Sequence, residues 1–281
     1  MNWTRREKNG VVYITFPLFE KEGLIHGFST RLGGVSTGDC KTMNLSFQRG
    51  DNPEAVFENH RRFAEAVGYD CRKLVFSDQV HKTVVRSVDA SDIGKGIFRE
   101  SDIKGVDGLV TNDDRVVLMT FFADCVPLFF YDPVNRAIGA SHSGWRGTAE
   151  RMGARTLEAM SREFGSRPED IKAVVGPSIC RSCYEVSQDV ADAFGRSFDE
   201  KWHRDILFPD NTPGDREKKY HLDLWRANEI ILMEAGMPEE NISVSGLCTC
   251  CNHELLFSHR ASAGKRGNLA GVITLGKDVS V

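Results

Sequence analysis

The chain has 281 residues, of which 41% are hydrophobic and 27% are charged, and it contains 26 glycines and 9 prolines. This composition is typical of a globular protein and excludes collagen-like and low-complexity chains. The formal net charge of -4 argues against a nucleic-acid-binding protein that depends on a positive overall field. No apolar run is long enough to cross a bilayer, and no apolar signal segment follows the charged N-terminal residues. We therefore expect a cytoplasmic protein with neither a nucleic-acid nor a membrane partner.

Short apolar runs predict strands in several clusters along the chain. They cover residues 11–16, 74–76, 83–88, 109–111, 116–122, 126–131, 137–142, 173–175, 242–245 and 270–275. Helical spacing of apolar residues predicts helices over residues 53–67, 148–164, 187–194 and 222–235. In the second of these helices, Thr148 is the expected N-cap and Gly165 the expected end.

Clusters of strands interspersed with helices indicate an α+β fold rather than a strictly alternating parallel architecture. The stretch 208–219 is rich in Pro, Gly and charged residues and predicts a loop. We interpret this loop as an excursion within one domain, so residues 1–281 are expected to form a single domain.

Two apolar runs flank residues 132–135, a turn-like Asp-Pro-Val-Asn sequence, and predict a β-hairpin. If those four residues form the loop, Tyr131 pairs with Arg136. The same register places Cys125 opposite His142, with Cβ atoms roughly 5 Å apart on one side of the hairpin. A thiolate and an imidazole so placed could bind a metal ion or act as nucleophile and base. The alternative is a buried cysteine beside a hydrogen-bonded histidine.

Arg146 lies between two glycines directly before the predicted helix at Thr148. Free backbone N–H groups, the helix dipole and a forked cation together favour anion binding. Arg146 is therefore a candidate anion ligand. The alternative is a tight strand-to-helix turn in which Arg146 pairs with a carboxylate.

The eight cysteines are expected to be thiols, because disulfide frameworks are typical of small secreted chains. Cys180 and Cys183, taken with Cys248, Cys250 and Cys251, resemble the two halves of a four-thiolate zinc site. The second half has no clean knuckle, because its three thiols are spaced by two residues and then one, although Cys248 and Cys251 alone would make a Cys-x-x-Cys pair. We therefore expect buried or half-exposed thiols here rather than a second metal site.

A set of motifs resembles one known family, in the same order along the chain. The motifs are STRLGGVSTG and MNLS within residues 29–46, DQVH at 78–81, VDGLVT at 106–111, ADCVPL around Cys125, SHSGWRG around His142, GPSI and CYEV within 176–186, and the C-terminal LLFSHRASAGKRGNLAGVI. Together they resemble the bacterial family long called multicopper polyphenol oxidoreductases or laccase-domain proteins. The resemblance runs from about residue 25 to about residue 275. It implies a layered α+β domain with mixed and antiparallel sheets, similar to the cysteine–histidine fold of cytotoxic necrotising factor.

The resemblance also implies a site and an activity. His81, Cys125 and His142 stand at the motif positions that bind one zinc ion, with a coordination position open for water or substrate. Only the resemblance supplies His81. Members of the family are regarded as purine nucleoside phosphorylases with adenosine deaminase side activity. The implied partners are phosphate and adenosine, inosine or guanosine, with methylthioadenosine as a further candidate; the implied products are free base and ribose 1-phosphate.

Phosphorolysis needs an anion cradle, for which Arg146 at the helix N-terminus is the first candidate. Arg31, beside a Gly-Gly pair, and Arg260 with Lys265 are weaker candidates. Asp124 could orient a metal ligand or relay a proton, although a regular strand would turn its side chain away from that of Cys125.

Three other functions stay open at this point. A cysteine hydrolase or amidase would use Cys125 as nucleophile and His142 as base. A copper-dependent polyphenol oxidoreductase would hold copper in place of zinc, since nitrogen and thiolate donors favour copper in raw affinity. The eight histidines include no His-x-His pair, which argues against a four-copper mechanism. A non-enzymatic metal-binding protein would hold zinc without turnover.

Overall fold

The computed structural model describes residues 2–210 and 218–276, in which strands and helices are interspersed. The strands are β1 (Thr4–Lys8), β2 (Val11–Thr15), β3 (Ile25–Ser29), β4 (Leu74–Phe76), β5 (Val85–Ser87), β6 (Gly108–Thr111), β7 (Val117–Phe122), β8 (Val126–Asp132), β9 (Ala137–Ser143), β10 (Lys172–Val175), β11 (Glu185–Ser187), β12 (Leu207–Asp210), β13 (Lys219–Leu222), β14 (Ile242–Val244) and β15 (Leu269–Thr274). The helices are α1 (Pro17–Glu20), α2 (Pro53–Val67), α3 (Trp145–Ala149), α4 (Met152–Phe164), α5 (Gln188–Ser197), α6 (His203–Ile206) and α7 (Leu224–Glu234).

These strands form two larger sheets and one smaller sheet. The first sheet has the order β1-β2-β3-β15-β7-β4, and only its β4–β7 pair is parallel. The second has the order β14-β10-β8-β9-β6-β5, with parallel pairs at its two edges. The third, β11-β13-β12, is antiparallel. Mixed sheets with interspersed helices confirm the predicted α+β class.

The two larger sheets pack face to face, with helices on their outer faces. Phe28 and Phe122 of the first sheet share a core with Phe129 and Ile138 of the second. Helix α2 covers the outer face of the first sheet, and helices α4 and α7 cover that of the second. Strands β8, β9 and β15 are buried along their whole length. A strand covered on both faces needs a continuous apolar run rather than an alternating pattern, as these sequences show.

Local sequence signals place several element ends. Helix α2 matches its predicted bounds, because the Asn52 side chain accepts a hydrogen bond from the Glu54 N–H and Pro53 opens the first turn. It ends at Gly68, whose φ of 97° favours glycine. Helix α4 ends at Gly165 as predicted. Each predicted strand run overlaps an observed strand; β1, β3, β11 and β13 were not predicted, and β12 lies almost entirely within the predicted loop.

The predicted helix over residues 148–164 is wrong at its start. The first turn begins at Trp145 after Gly144, and Arg151, with φ of 66°, separates α3 from α4. Thr148 is not an N-cap. Its hydroxyl lies in a buried network, 2.9 Å from the Ser143 hydroxyl and 3.1 Å from the Asn228 amide nitrogen. Periodicity did not predict the break, because this network joins α3 to β9 and α7.

The predicted hairpin exists, but its register differs. The turn comprises residues 133–136, and Asp132 pairs with Ala137. The buried Asp132 carboxylate accepts the N–H groups of Val134 and Asn135 at 2.8 and 3.1 Å, which fixes a side-chain-capped turn one residue later than expected. His142 therefore lies opposite Pro127 rather than opposite Cys125. The partner of His142 thus moves by two residues along β8, from Cys125 to Pro127. Because side chains alternate between faces with a period of two, Cys125 stays on the same side as His142.

The predicted loop over residues 208–219 is only partly a loop. Strands β12 and β13 include residues 207–210 and 219–222 and pair with each other. Residues 211–217 lie outside the described part of the chain. Within the described part, no helix combines the length and apolar character that a membrane span requires.

Candidate metal centre and adjoining cavity

Three donor side chains converge where the two larger sheets meet. Cys125 lies where the chain passes from β7 of the first sheet to β8 of the second, His142 lies on β9, and His81 lies in the loop after β4. One donor atom from each lies within 4.8 Å of the others. The His81 and His142 rings meet edge to face, with centroids 4.8 Å apart. The structure thus brings together the three residues that the family resemblance singled out.

Asp107 positions both histidines from a fully buried carboxylate. Its Oδ1 lies 2.9 Å from His142 Nδ1, which leaves Nε2 as the ring nitrogen available to a metal. Its two oxygens also accept the consecutive N–H groups of Val80, His81 and Lys82 at 2.9–3.0 Å. Burial alone would raise the pKa of Asp107, but these hydrogen bonds lower it below its ordinary value. Asp107 is therefore a charged anchor for both histidines.

The anchor holds His81 in a sparsely populated backbone conformation. His81 has φ of 62°, a region that costs a residue other than glycine of the order of 1 kcal/mol. Three amides around one carboxylate maintain this conformation. This backbone conformation places the His81 ring next to Cys125 and His142.

Cys125 and His142 shift each other's pKa in opposite directions. Burial alone would raise the pKa of Cys125, but the imidazoles of His142 and His81 lower it to about 6. Burial alone would lower the pKa of His142, but the Cys125 thiolate and the Asp107 carboxylate raise it to about 9. A thiolate and two imidazoles form a donor set typical of zinc or copper, with no carboxylate of the kind that magnesium or calcium prefers. The residues present therefore fit a zinc or copper ion.

A cavity of about 480 Å³ opens onto this cluster. That volume lies in the range of small-molecule sites. His81, Cys125 and His142 form part of its wall, and further wall residues are Phe47, Phe76, Phe121, Phe122, Arg49 and Arg266. The cavity thus combines aromatic surface, three guanidinium groups, of which Arg99 is the third, and the candidate metal ligands.

Two of the cavity arginines, Arg49 and Arg266, have unused donors. The Nε atoms of Arg49 and Arg266 are both buried without a hydrogen-bond partner among the described residues. Burial and the neighbouring Arg49 guanidinium lower the pKa of Arg266 to about 10. Two cations side by side with unpaired buried donors favour an anionic ligand between them.

The arginines expected from the sequence do not line this cavity. Arg146 is exposed and lies over the Trp145 ring, 4.2 Å from its centroid. Arg31 donates to the carbonyls of Lys41 and His253, and Arg260 donates to those of Cys183 and Glu185. Lys265 is exposed.

Asp124 is not among the residues of the cavity wall, and its side chain holds the chain next to Cys125. It has φ of 85°, and its carboxylate accepts the Thr249 hydroxyl at 2.6 Å and the Arg260 N–H at 2.7 Å. These contacts fix the backbone next to Cys125, and the role of Asp124 in orienting a ligand stays a prediction.

The sequence interpretation missed Asp107, Arg49 and Arg266 as site residues. Asp107 stands inside the VDGLVT motif, so a signal for it was available. Arg266 stands inside the C-terminal motif, so a signal was available for it too, whereas Arg49 lies in none of the motifs. The two arginines are separated by 216 intervening residues, and only the fold brings them to one cavity.

Comparison with known proteins decides the family. A family model described as multi-copper polyphenol oxidoreductase laccase matches residues 25–276. The chain belongs to this family. Purine nucleoside phosphorylase YlmD of Bacillus subtilis (strain 168) is 39% identical over 253 residues, which cover 89% of this chain and 88% of that protein.

Two further relatives extend the comparison. Adenosine deaminase RL5 from an unknown prokaryotic organism is 34% identical over 241 residues, covering 84% of this chain and 88% of that protein. The crystal structure of Bacillus licheniformis hypothetical protein YfiH superposes with a TM-score of 0.87 at 34% identity, covering 96% of this chain and 98% of that chain. The resemblance and the fold inferred from the sequence are confirmed.

Proposed function

We propose that the protein is a purine nucleoside phosphorylase that cleaves adenosine, inosine or guanosine with phosphate. Methylthioadenosine is a further candidate substrate. One observation carries the proposal: paired guanidinium groups with unused donors line the same cavity of about 480 Å³ as His81, Cys125 and His142. The names of the relatives support it.

Phosphorolysis breaks the glycosidic C–N bond of the nucleoside and forms a C–O bond to phosphate at the anomeric carbon. The electron pair of the broken bond leaves with the purine, which must be protonated or otherwise stabilised. In our proposal Arg49 and Arg266 hold the phosphate, because forked cations bind phosphate through paired N–H groups. The phenylalanines in the cavity wall offer rings on which the purine can stack. Product release leaves the free base and ribose 1-phosphate.

We propose zinc as the metal at His81, Cys125 and His142, with copper as the alternative. A zinc ion held there supplies Lewis acidity next to the substrate. The chain itself keeps Cys125 deprotonated between two imidazoles and fixes the His142 tautomer through Asp107. Among the described residues, which include all eight histidines, the potential metal clusters are this one and a group of four cysteines. Neither cluster has enough imidazoles for a four-copper centre.

Adenosine deamination is the proposed side activity. It replaces the amino group of the purine ring with an oxygen from water and releases ammonia, so it needs no phosphate. The relative named adenosine deaminase RL5 supports this proposal. The same cavity would serve both reactions.

A cysteine hydrolase is the second candidate, and one observation favours it. Asp107, His142 and Cys125 follow one another in contact, as orienting acid, base and nucleophile do in a catalytic triad. Chelation would inactivate the metal enzyme and spare the hydrolase. Alkylation of metal-free protein at Cys125 would abolish hydrolysis.

The test incubates zinc-loaded protein with adenosine or inosine, with and without phosphate, and separates the products by chromatography. We expect phosphate-dependent release of free base, which Cys125→Ala abolishes, and slower phosphate-independent conversion of adenosine to inosine. A protein that holds zinc and turns over neither nucleoside would overturn the proposal and favour the hydrolase.

A second experiment tests the phosphate site. Arg49→Gln should raise the KM for phosphate by about tenfold or more, because a hydrogen bond to a charged group contributes about 1.5–3 kcal/mol. The KM for the nucleoside should change little. Arg146→Gln is the matched control, since Arg146 lies outside the cavity. If only Arg146→Gln raises the phosphate KM, the cradle lies at α3 instead.

A further inference from the structure

Four cysteines outside the candidate metal centre form a second cluster, which we name the four-cysteine cluster: Cys180, Cys183, Cys248 and Cys251. Their Sγ atoms lie within 4.8 Å of one another. The sequence favoured separate thiols, because Cys250 obscured the pattern of the second half. In the structure Cys250 contacts Cys183 but is not one of the four mutually close sulfurs, and Cys248 and Cys251 form a Cys-x-x-Cys pair opposite that of Cys180 and Cys183.

The sulfur–sulfur distances fit a shared metal ion better than a disulfide. Cys183 Sγ lies 3.4 Å and Cys180 Sγ lies 3.9 Å from Cys251 Sγ, whereas a disulfide bond is about 2.05 Å long. Four sulfurs arranged tetrahedrally at about 2.3 Å from zinc lie about 3.8 Å from one another. These two distances are close to that value, and all four sulfurs lie within 4.8 Å of one another.

Backbone amides already point at one of the sulfurs. The N–H groups of Cys180 and Cys251 each donate to Cys248 Sγ at 3.3 Å. Each Cys-x-x-Cys pair lies on a tight turn, and the two turns are joined at Ser178 and Cys248, which pair as an isolated bridge. Amide donors around a sulfur stabilise the thiolate, which is the form that binds metals.

We propose that the four-cysteine cluster is a structural zinc site, distinct from the centre at His81, Cys125 and His142. A closed set of four thiolates leaves no position for substrate, as in structural rather than catalytic zinc sites. Cys248 is buried, Cys180 and Cys183 are half-buried and Cys251 is exposed, so an ion could enter from solvent. The proposal does not depend on the nucleoside activity.

The proposed zinc site would stabilise the chain segments next to Cys125, which lines the cavity. Thr249, between two members of the cluster, donates its hydroxyl to Asp124 at 2.6 Å, and Asp124 directly precedes Cys125. The Cys183 carbonyl accepts a hydrogen bond from the Arg260 guanidinium at 3.0 Å. The backbone N–H of Arg260 donates to the Asp124 carboxylate. An ion that joins the two turns would therefore fix the segments that hold the Asp124–Cys125 corner.

Metal stoichiometry tests the site without relying on activity. Protein purified with zinc under reducing conditions should contain two zinc ions per chain, one at each cluster. Elemental mass spectrometry measures this ratio of zinc to protein. The variant His81→Ala/Cys125→Ala/His142→Ala should keep one. Its cobalt-substituted form should show the strong thiolate-to-metal absorption of a tetrahedral sulfur site. Cys183→Ser/Cys251→Ser should also keep one zinc, and the matched control Cys250→Ser should keep two.

Three results would overturn the proposal. One is a single zinc in the wild type that disappears in the triple alanine variant. Another is a cobalt spectrum of that variant without thiolate bands. The third is a Cys183–Cys251 disulfide that persists after treatment of the protein with a reducing agent. If the double serine variant fails to fold, the zinc count and cobalt spectrum of the triple alanine variant still decide.

Discussion

Asp107 positions the two histidines of the candidate metal centre, although it is not one of the candidate ligands. We expect Asp107→Asn to weaken zinc binding by about 10- to 100-fold, which is typical for the loss of a carboxylate behind a metal-binding histidine. An amide nitrogen in place of one carboxylate oxygen would also face the N–H groups of residues 80–82 and release the His81 loop. Competition with a chromogenic chelator measures the affinity.

Asp78→Asn is the matched control for this prediction. Asp78 lies in the same loop and accepts the Gly105 N–H at 2.9 Å, so it supports the loop without contacting His142. Its substitution should leave zinc affinity nearly unchanged. Equal weakening by both variants would mean that general loop support, not the Asp107–His142 contact, sets the affinity.

The residues of the site differ in how far a sequence can reveal them. Cys125 and His142 could be placed on one side of the hairpin, although not in the correct register, because they are 17 residues apart and strand alternation fixes their side. His81 came only from the family resemblance, since no spacing rule connects a loop after β4 to β9. Arg266 stands in the C-terminal motif, but its pairing with Arg49 depends on the packing of distant segments, which local patterns do not report.

At the scale of elements, apolar periodicity located most strands and helices because burial sets it directly. It failed where a polar side chain determines the local geometry. The Asp132 carboxylate selected the hairpin turn. The network of Ser143, Thr148 and Asn228 accompanies the helix break that periodicity joined across. Such contacts join separate elements, so the pattern within one element cannot predict them.

His60 makes the packing of α2 sensitive to pH. Burial lowers the pKa of this fully buried histidine to about 4, although the hydrogen bond between Nε2 and the Leu45 carbonyl partly opposes that shift. The unfolded chain keeps a pKa near 6.5 and so binds the proton first as the pH falls. The stabilisation is complete above about pH 6.5 and is lost progressively toward pH 4, by about 3 kcal/mol at most.

Urea denaturation of wild type and His60→Gln between pH 7 and pH 4 measures this contribution. Glutamine can still donate to the Leu45 carbonyl but does not titrate in this range. We expect the free energy of unfolding of wild type to fall more steeply than that of the variant. The pKa of the buried His26 is also lowered, and comparing the two proteins cancels its effect. Parallel slopes would show that His60 does not titrate on unfolding.

At the scale of the whole molecule, the cavity depends on how closely the two larger sheets approach. The chain crosses between them at residues 123–125, and Gly271 of β15 lies directly under Phe129 of β8. A Cβ at Gly271 would come within 2.2 Å of the Phe129 ring. The absence of a side chain here therefore sets the separation of the sheets.

We expect Gly271→Ala to destabilise the fold by about 1–3 kcal/mol, as overpacking of a well-filled core does. Gly195→Ala on α5 is the control, because no atom lies within 4 Å of its new Cβ and alanine favours a helix. Phe129→Leu should restore part of the loss in the double variant, since it shortens the side chain that clashes. Urea unfolding of wild type, Gly271→Ala, Phe129→Leu and the double variant completes the double-mutant cycle. Strict additivity would mean that Gly271 and Phe129 do not set the spacing of the sheets, and hence the crossing that carries Cys125.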